Sequence, residues 1–184
     1  MLFRSAMDAA RVIMTGDADL MVAGGVEHMT RGPWVLSKSS AAFGRDQQLF
    51  DTSFGWRFIN PKMKEKYGVD AMGETAENLA NEYRISREDQ DAFAVWSQQK
   101  ANRAIQSGRL AKEIIPVEVP QRKGNPLLFS IDEFVKPETS LEGLSKLKPA
   151  FRKDGSVTAG NASGLNDGAA AILLASESAV ASFN

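Results

Sequence analysis

The stretch "TAGNASGLNDGAAAILLA", residues 158–175, sets a loop of small residues directly before an apolar run that carries no bulky polar side chain. Gly160, Gly164 and Gly168 punctuate it. Glycines at these points allow left-handed backbone or a close approach to a ligand. Ser163 and the neighbouring amides can then donate to a ligand's carbonyl. Asn166 and Asp167 are of the type that hydrogen-bonds a turn to itself. Tight packing of the loop against the strand is an equal alternative for this segment alone. Residues 170–174 read as a strand entering a core.

The other end of the chain mirrors this. "SAMDAARVIMTGDADLMVAGG" reads as helix, turn and strand. Ser5 with Asp8 three residues later predicts a helix cap, and Gly16 predicts the stop. Ala6, Met7, Ala10, Val12, Ile13 and Met14 surround the helix, which predicts burial on most sides. Residues 20–23 predict a strand covered on both faces.

Between these brackets, residues 30–70 mix glycine, serine, proline and aromatics without a period, so an irregular excursion is expected there. It would pack on its own Trp34, Phe54, Trp56 and Phe58. "GETAENLANEY" predicts a short helix. A longer one follows, begun by the capping pair Ser86 and Asp89 and ended at Gly108. Phe93, Trp96, Ala101 and Ala104 share a face of it and are expected in the core. "EIIPVEV" and "PLLFSID" predict short strands about a turn at residues 123–125. "SLEGLSKLK" predicts a helical segment terminated by Pro149. The economical division is a core segment over residues 1–29, an insertion over 30–155 and a return to the core over 156–184. The closing "ESAVASFN" is a helix barely begun, so a fragment of a larger fold is expected.

Composition narrows the chemistry. The 184 residues are 43% apolar and 24% charged, and the net charge is −1. These are the values of an ordinary globular protein, with no global pull toward nucleic acid or a membrane surface. No apolar run is long enough to cross a bilayer. The chain contains no cysteine. That fits a cytoplasmic protein, and it rules out a thiol nucleophile or a thiolate metal site within these residues. His28 is the one histidine; a structural role is expected for it, not a catalytic one. No metal-ligand spacing stands out. Lys146, Lys148, Arg152 and Lys153 lie near the small-residue loop, with Pro149, Ala150 and Phe151 as an apolar wall. That mixture suits a ligand with phosphates at one end and a thin apolar arm at the other, although a solvated charged face is the plainer reading. "AGG" after the first strand lacks a dinucleotide-binding glycine fingerprint.

Several motifs carry a family resemblance. "GGVEHMT", "GETAENLANEYRISREDQDAFAVWSQQKA", "EIIPVEV", "LSKLKPAF" and "VTAGNASGLNDGAAA" occur in the order found in thiolases, and from about Ser5 onward the chain resembles the middle of one, the end of its first half. The resemblance implies an α/β fold, part of the αβαβα layered sandwich, with a helical loop-domain insertion. It implies an acyltransferase that cleaves or forms a 3-oxoacyl-CoA through an acyl-cysteine. Coenzyme A would be its substrate, with no tightly bound cofactor, in a homodimer or homotetramer.

Carried over by position, the resemblance puts Phe3 where the family has its nucleophilic cysteine and Ala6 where it has a glycine. The second-half histidine and cysteine would lie beyond Asn184, so no catalytic residue is expected here and the chain alone should be inactive. On the binding side, Met72 matches a methionine near the acyl pocket, with Ala71 in place of a histidine. Phe151 matches an aromatic residue beside the pantetheine arm, and Ala159, Gly160 and Ser163 match the loop that touches pantetheine. Lys136 stands for an arginine of the nucleotide site and Gly143 for a serine; lysine keeps the charge and loses the planar fork. "LFDTSFGWRFINPKMKEKYGVD" resembles the 3-oxoadipyl-CoA thiolase branch, used in aromatic catabolism, and shares parts with the 3-ketoacyl-CoA thiolases of β-oxidation. The alternative is a non-catalytic coenzyme A-binding or dimerisation remnant.

Overall fold

The computed structural model describes residues 2–183; Met1 and Asn184 lie outside the described residues. The chain divides into two units, Met1–Val69 with Gly164–Asn184, and Asp70–Ser163.

In the first unit, helix α1 (Leu2–Met14) packs on strands β1 (Leu20–Glu27) and β6 (Gly168–Ala175). The predicted stop at Gly16 is present. Gly16 takes φ 77°, its N–H donates to Ile13 O at 3.0 Å, and Asp17 N–H donates to Val12 O at 3.1 Å. This is a helix end closed by a left-handed glycine. The predicted cap at Ser5 is not. The helix begins at Leu2, so Ser5 sits inside it, and its hydroxyl donates to Gly24 O on β1 at 3.2 Å.

β1 and β6 pair antiparallel from Leu20 opposite Ala175 to Glu27 opposite Gly168. Residues 140 or more apart in sequence thus close the first unit. The expected burial of these elements is overturned. Among the described residues of α1 and β1, only Ala9 and Ala23 are buried, whereas Phe3, Met14 and Val22 are each more than 70% exposed. Two strands and one helix supply a single covering layer. Val22 and Leu173, opposite each other in register, lie on the face without one. At the start of α6 (Glu177–Phe183), Ser176 Oγ accepts from Ala179 N–H at 3.1 Å and donates to Asp19 Oδ1 at 2.7 Å. The hydroxyls of Ser176 and Ser178 hold the Asp19 carboxyl below its usual range.

The excursion after β1 is more regular than its composition predicts. A 3-10 turn (Met29–Arg31) leads to β2 (Trp34–Leu36), which pairs antiparallel with β3 (Leu49–Asp51), and helix α2 (Pro61–Tyr67) follows. Trp34, Phe54, Trp56 and Phe58 are exposed and do not form its core. Hydroxyls hold the segment instead: Thr52 Oγ1 donates to Pro33 O at 2.6 Å and Ser53 Oγ to Met29 O at 2.8 Å. Asn60 caps α2 by accepting from Lys62 N–H at 2.9 Å, just ahead of a proline in the first helical position.

The second unit holds α3 (Met72–Glu82), α4 (Arg87–Gln106), a 3-10 turn (Leu110–Lys112), the hairpin β4 (Val117–Val119) with β5 (Leu127–Phe129), and α5 (Leu141–Ser145). The cap of α4 is as read: Ser86 Oγ accepts from Asp89 N–H at 3.0 Å, and Gly108 beyond the end takes φ 71°. Its aromatic face is not core. Phe93 and Trp96 are 65% and 49% exposed, stack edge to face at 5.7 Å, and Lys100 lies 3.6 Å over the Trp96 ring. α4 turns Arg87 and Asp91 inward instead, because they answer each other and part-buried partners at Leu144 O and Asn161. α5 is capped by Ser140, which accepts from Gly143 N–H at 3.1 Å, and ends at Ser145, before Pro149 can act as the stop. No described helix is long and apolar enough to cross a membrane.

Candidate functional site

The six residues expected to meet the ligand, Met72, Lys136, Phe151, Ala159, Gly160 and Ser163, all lie in the second unit. Their placement starts from α3. One stripe of that helix, Gly73, Glu77 and Ala80, is buried at the i, i+4, i+7 spacing of a helix face. Gly73 lacks a side chain because the Phe151 ring lies where its Cβ would stand. Met72, next in sequence, is 86% exposed at the head of the helix, and Phe151 is 46% exposed. Phe151 is thus seated on the first turn of the helix that Met72 begins.

One turn further along, the Glu77 carboxylate is 2% exposed and receives the start of the small-residue loop. It accepts from Ser156 N–H at 2.9 Å, Val157 N–H at 2.8 Å and Ser156 Oγ at 3.2 Å. Burial alone would raise the pKa of this carboxyl. The two backbone donors, the serine hydroxyl and the charge of Arg152 outweigh it and hold the group below its ordinary value. Gly155 is obligatory for the same reason, since a Cβ there would collide with the Glu77 carboxylate. Arg152 itself is bound to Glu74 at 2.6 Å and to Asn78 Oδ1 at 2.7 Å.

A second buried carboxylate serves the middle of the loop. Asp91 on α4, 4% exposed, accepts from Arg87 Nε at 2.8 Å and Asn161 Nδ2 at 2.9 Å. Asn161 Oδ1 in turn accepts from Thr158 N–H at 2.7 Å, and Thr158 is completely buried. The Arg87 guanidinium also donates to Leu144 O at 2.6 Å, so α4, α5 and the loop share one network. Every described buried side-chain polar atom has a partner.

Gly160 closes the arrangement. Its missing side chain makes room for Leu144 and Leu147, so packing against α5 already requires the glycine. Positive φ is absent from Gly160, Gly164 and Gly168, so left-handed backbone is not what these glycines provide. With Val157 and Thr158 buried, Ala159 and Ser163 remain exposed. Lys136 belongs to a separate loop whose N–H donates to Gln98 Oε1 on α4 at 2.8 Å, with its own side chain exposed.

Of the four cations near the loop, two are committed: Arg152 to Glu74 and Asn78, and Lys146 to Glu142 at 2.6 Å. Lys148 and Lys153 carry no ion pair among the described residues. Glu77 and Asp91 each carry a local sequence signal, a lone carboxylate within a helical stripe of Gly73 and Ala80 and an acid four residues after Arg87, whereas Asn161 carries none.

In the first unit, Asp167 does not serve its own turn. It accepts from Thr30 N–H at 2.9 Å and Thr30 Oγ1 at 2.8 Å, with His28 Nε2 at 3.2 Å. The Thr30 donors, backbone first, lower its pKa. His28 thus has a structural partner. No cluster of three or more described histidine, aspartate or glutamate residues could hold a metal ion.

Comparison with known proteins places this geometry. The family described as "Thiolase, N-terminal domain" matches residues 3–178. A beta-ketoadipyl-CoA thiolase of Acinetobacter baylyi is 58% identical over 175 residues, covering 95% of this chain and 44% of its own. A 3-oxoadipyl-CoA/3-oxo-5,6-dehydrosuberyl-CoA thiolase of Escherichia coli is 54% identical over 92% of this chain and 42% of its own. Among solved structures, human mitochondrial 3-ketoacyl-CoA thiolase in complex with CoA is similar with a TM-score of 0.80 at 36% identity, over 99% of this chain and 44% of that one. The chain spans less than half the length of these relatives.

Proposed function

Because the chain belongs to the thiolase family, matching its N-terminal domain over nearly the whole sequence, we propose that it forms the coenzyme A-binding part of an acyltransferase that cleaves or forms a 3-oxoacyl-CoA. The observation that carries this reading is the loop over residues 156–163. Its buried side is fixed by Glu77 and by Asn161 on Asp91, while Ala159 and Ser163 remain outward. A loop held that firmly meets a slender ligand without paying to order itself first. The pantetheine arm would run past Ala159, Gly160 and Ser163 with Phe151 beside it. The acyl end would reach Met72, and Lys136 would meet the nucleotide end.

In the reaction, a cysteine sulfur would bond to C3 of the substrate as the C2–C3 bond breaks, and the proton lost by that thiol would end on C2 of the departing acetyl-CoA. The sulfur of a second coenzyme A would then take the acyl group, its thiol proton returning to the cysteine sulfur. No sulfur nucleophile is available within these residues, and Phe3 stands at the matching position. The chain by itself therefore binds and does not turn over. The absence of cysteine also favours the second reading, a coenzyme A-binding or dimerisation remnant that has left catalysis.

The similarity to relatives named for 3-oxoadipyl-CoA supports that substrate. A cytoplasmic homodimer or homotetramer, with residues 30–155 as the insertion, belongs to the same reading. Titration calorimetry of the 184-residue chain with coenzyme A tests it. Saturable heat that Ser163→Ala weakens is expected. Absence of heat, or heat indifferent to both Ser163→Ala and Lys136→Ala, overturns it.

A further inference from the structure

Asp91 and Asn161, both in the second unit, are joined so that neither side chain can turn over. A backbone N–H can only donate, so the Asn161 atom 2.7 Å from Thr158 N must be its carbonyl oxygen. The Asn161 amide nitrogen is thereby aimed the other way, where it donates to Asp91 Oδ1 at 2.9 Å and Ser156 O at 3.1 Å. Asp91 Oδ2 accepts from Arg87 Nε at 2.8 Å, and the same guanidinium donates to Leu144 O on α5 at 2.6 Å. One chain of bonds therefore runs from Leu144 through Arg87, Asp91 and Asn161 to Thr158, with donor and acceptor fixed at each step. Asp91 is 4% exposed and Thr158 is fully buried, so solvent does not replace a lost partner. Thr158 then closes the turn: its Oγ1 accepts from Gly160 N–H at 3.2 Å and its carbonyl from Ala162 N–H at 3.1 Å. Ala159 and Ser163, the two exposed residues of 156–163, each directly follow a residue held by this closure.

We propose that Asp91 is a positioning residue for coenzyme A, which acts through Asn161 to fix the turn that presents Ala159 and Ser163 to the pantetheine arm. The inference rests on the coenzyme A reading above and adds to it the residue that sets the ligand-facing geometry of the loop. Asp91→Asn shows how one atom carries the effect. The charged guanidinium of Arg87 keeps the remaining oxygen, so the new NH2 meets Asn161 Nδ2, donor against donor. Asn161 relieves that conflict only by turning over, which sets its NH2 against Thr158 N–H. Asp91→Asn combined with Asn161→Asp removes both conflicts, because the carboxylate on the loop accepts from the amide on α4 and from Thr158 N–H. That double variant forgoes only the bond to Ser156 O.

The test is calorimetry with coenzyme A on the 184-residue chain, at a temperature where urea unfolding shows every variant folded. Wild type is compared with Asp91→Asn, with the double variant and with Ala104→Gly, which weakens α4 more than three turns beyond Asp91 and controls for stability alone. Asp91→Asn is expected to weaken binding at least about tenfold, the scale of one buried donor left unmatched, and to move the backbone amide signals of Ala159 and Ser163 in a nitrogen–proton NMR spectrum. The double variant should recover most of the affinity, and Ala104→Gly should bind as wild type does. Undiminished binding by Asp91→Asn overturns the proposal. So does a double variant no better than Asp91→Asn alone, or an equal loss in Ala104→Gly. If Asp91→Asn does not fold, Arg87→Lys takes its place, since lysine keeps the charge and loses the fork that spans Asp91 and Leu144 O. Weakened binding with displaced Ala159 and Ser163 amides then supports the proposal, and unchanged binding overturns it. If coenzyme A gives no heat with wild type, the coenzyme A reading has failed and the positioning role is read from the two amides. Signals moved by Asp91→Asn and returned by the double variant support it; signals left in place overturn it.

Discussion

Two regions of this molecule bring distant segments together, and they do so by different forces. β1 and β6 close the first unit by a backbone ladder, with apolar side chains left outward on one face. The loop over residues 156–163 is closed onto α3 and α4 by two buried carboxylates whose acceptors are matched to backbone and amide donors. The ladder joins through groups that every residue owns, so it tolerates almost any side chain. The carboxylate clamp depends on particular atoms in particular places, and losing one leaves buried donors without water or partner. Specificity in the second unit is therefore local and brittle, whereas pairing in the first is distributed.

The comparison can be broken most easily at Glu77. Glu77→Ala orphans the Ser156 and Val157 amides, at a cost of about 3–5 kcal/mol by the usual penalty for unsatisfied buried donors. Urea unfolding with hydrogen exchange at those two amides measures it. A loss under 1 kcal/mol would show the clamp to be incidental.

Acid should do the same by another route. The folded Glu77 carboxyl lies below its ordinary value of 4.5, so its contribution is complete above that pH. As the pH falls further, the unfolded chain takes the proton more readily, and stability drains until the native group also protonates. An unfolding series in acid, wild type against Glu77→Gln, should show this component in wild type alone.

Asn161→Ala removes the partner of the fully buried Thr158 amide and should cost roughly 2–3 kcal/mol. Gly160→Ala drives a methyl into Leu144 and Leu147, an overpacking worth about 1–2 kcal/mol; coenzyme A binding should weaken with it. At the small end, Leu173→Lys on the open sheet face should change stability by less than about 0.5 kcal/mol, as exposed positions do. A large loss there would mean that the face is covered in solution and that the contrast between the regions is false.

The two long helices were legible because they carry their own punctuation: Gly16 after α1, and the Ser86 cap and Gly108 of α4. The loop was legible as a whole through its small residues. Burial was not. Apolar period alone marked Phe93 and Trp96 as core, yet α4 turns its polar face inward, because Arg87 and Asp91 answer partners about sixty and seventy residues away. The Arg87–Asp91 pair is marked by its own four-residue spacing, but its partners at Leu144 and Asn161 leave no trace in a local pattern. The same holds for Asp167, whose donor at Thr30 is 137 residues distant. Ser5 failed as a cap because the helix starts three residues earlier, which its own sequence does not mark.

The placement of His28 gives the molecule a built-in witness. It is the sole imidazole in the chain, and it touches Asp167 at the seam where the two outer segments meet. One histidine signal in a proton spectrum would follow the joining and parting of that seam, free of overlap and without any label.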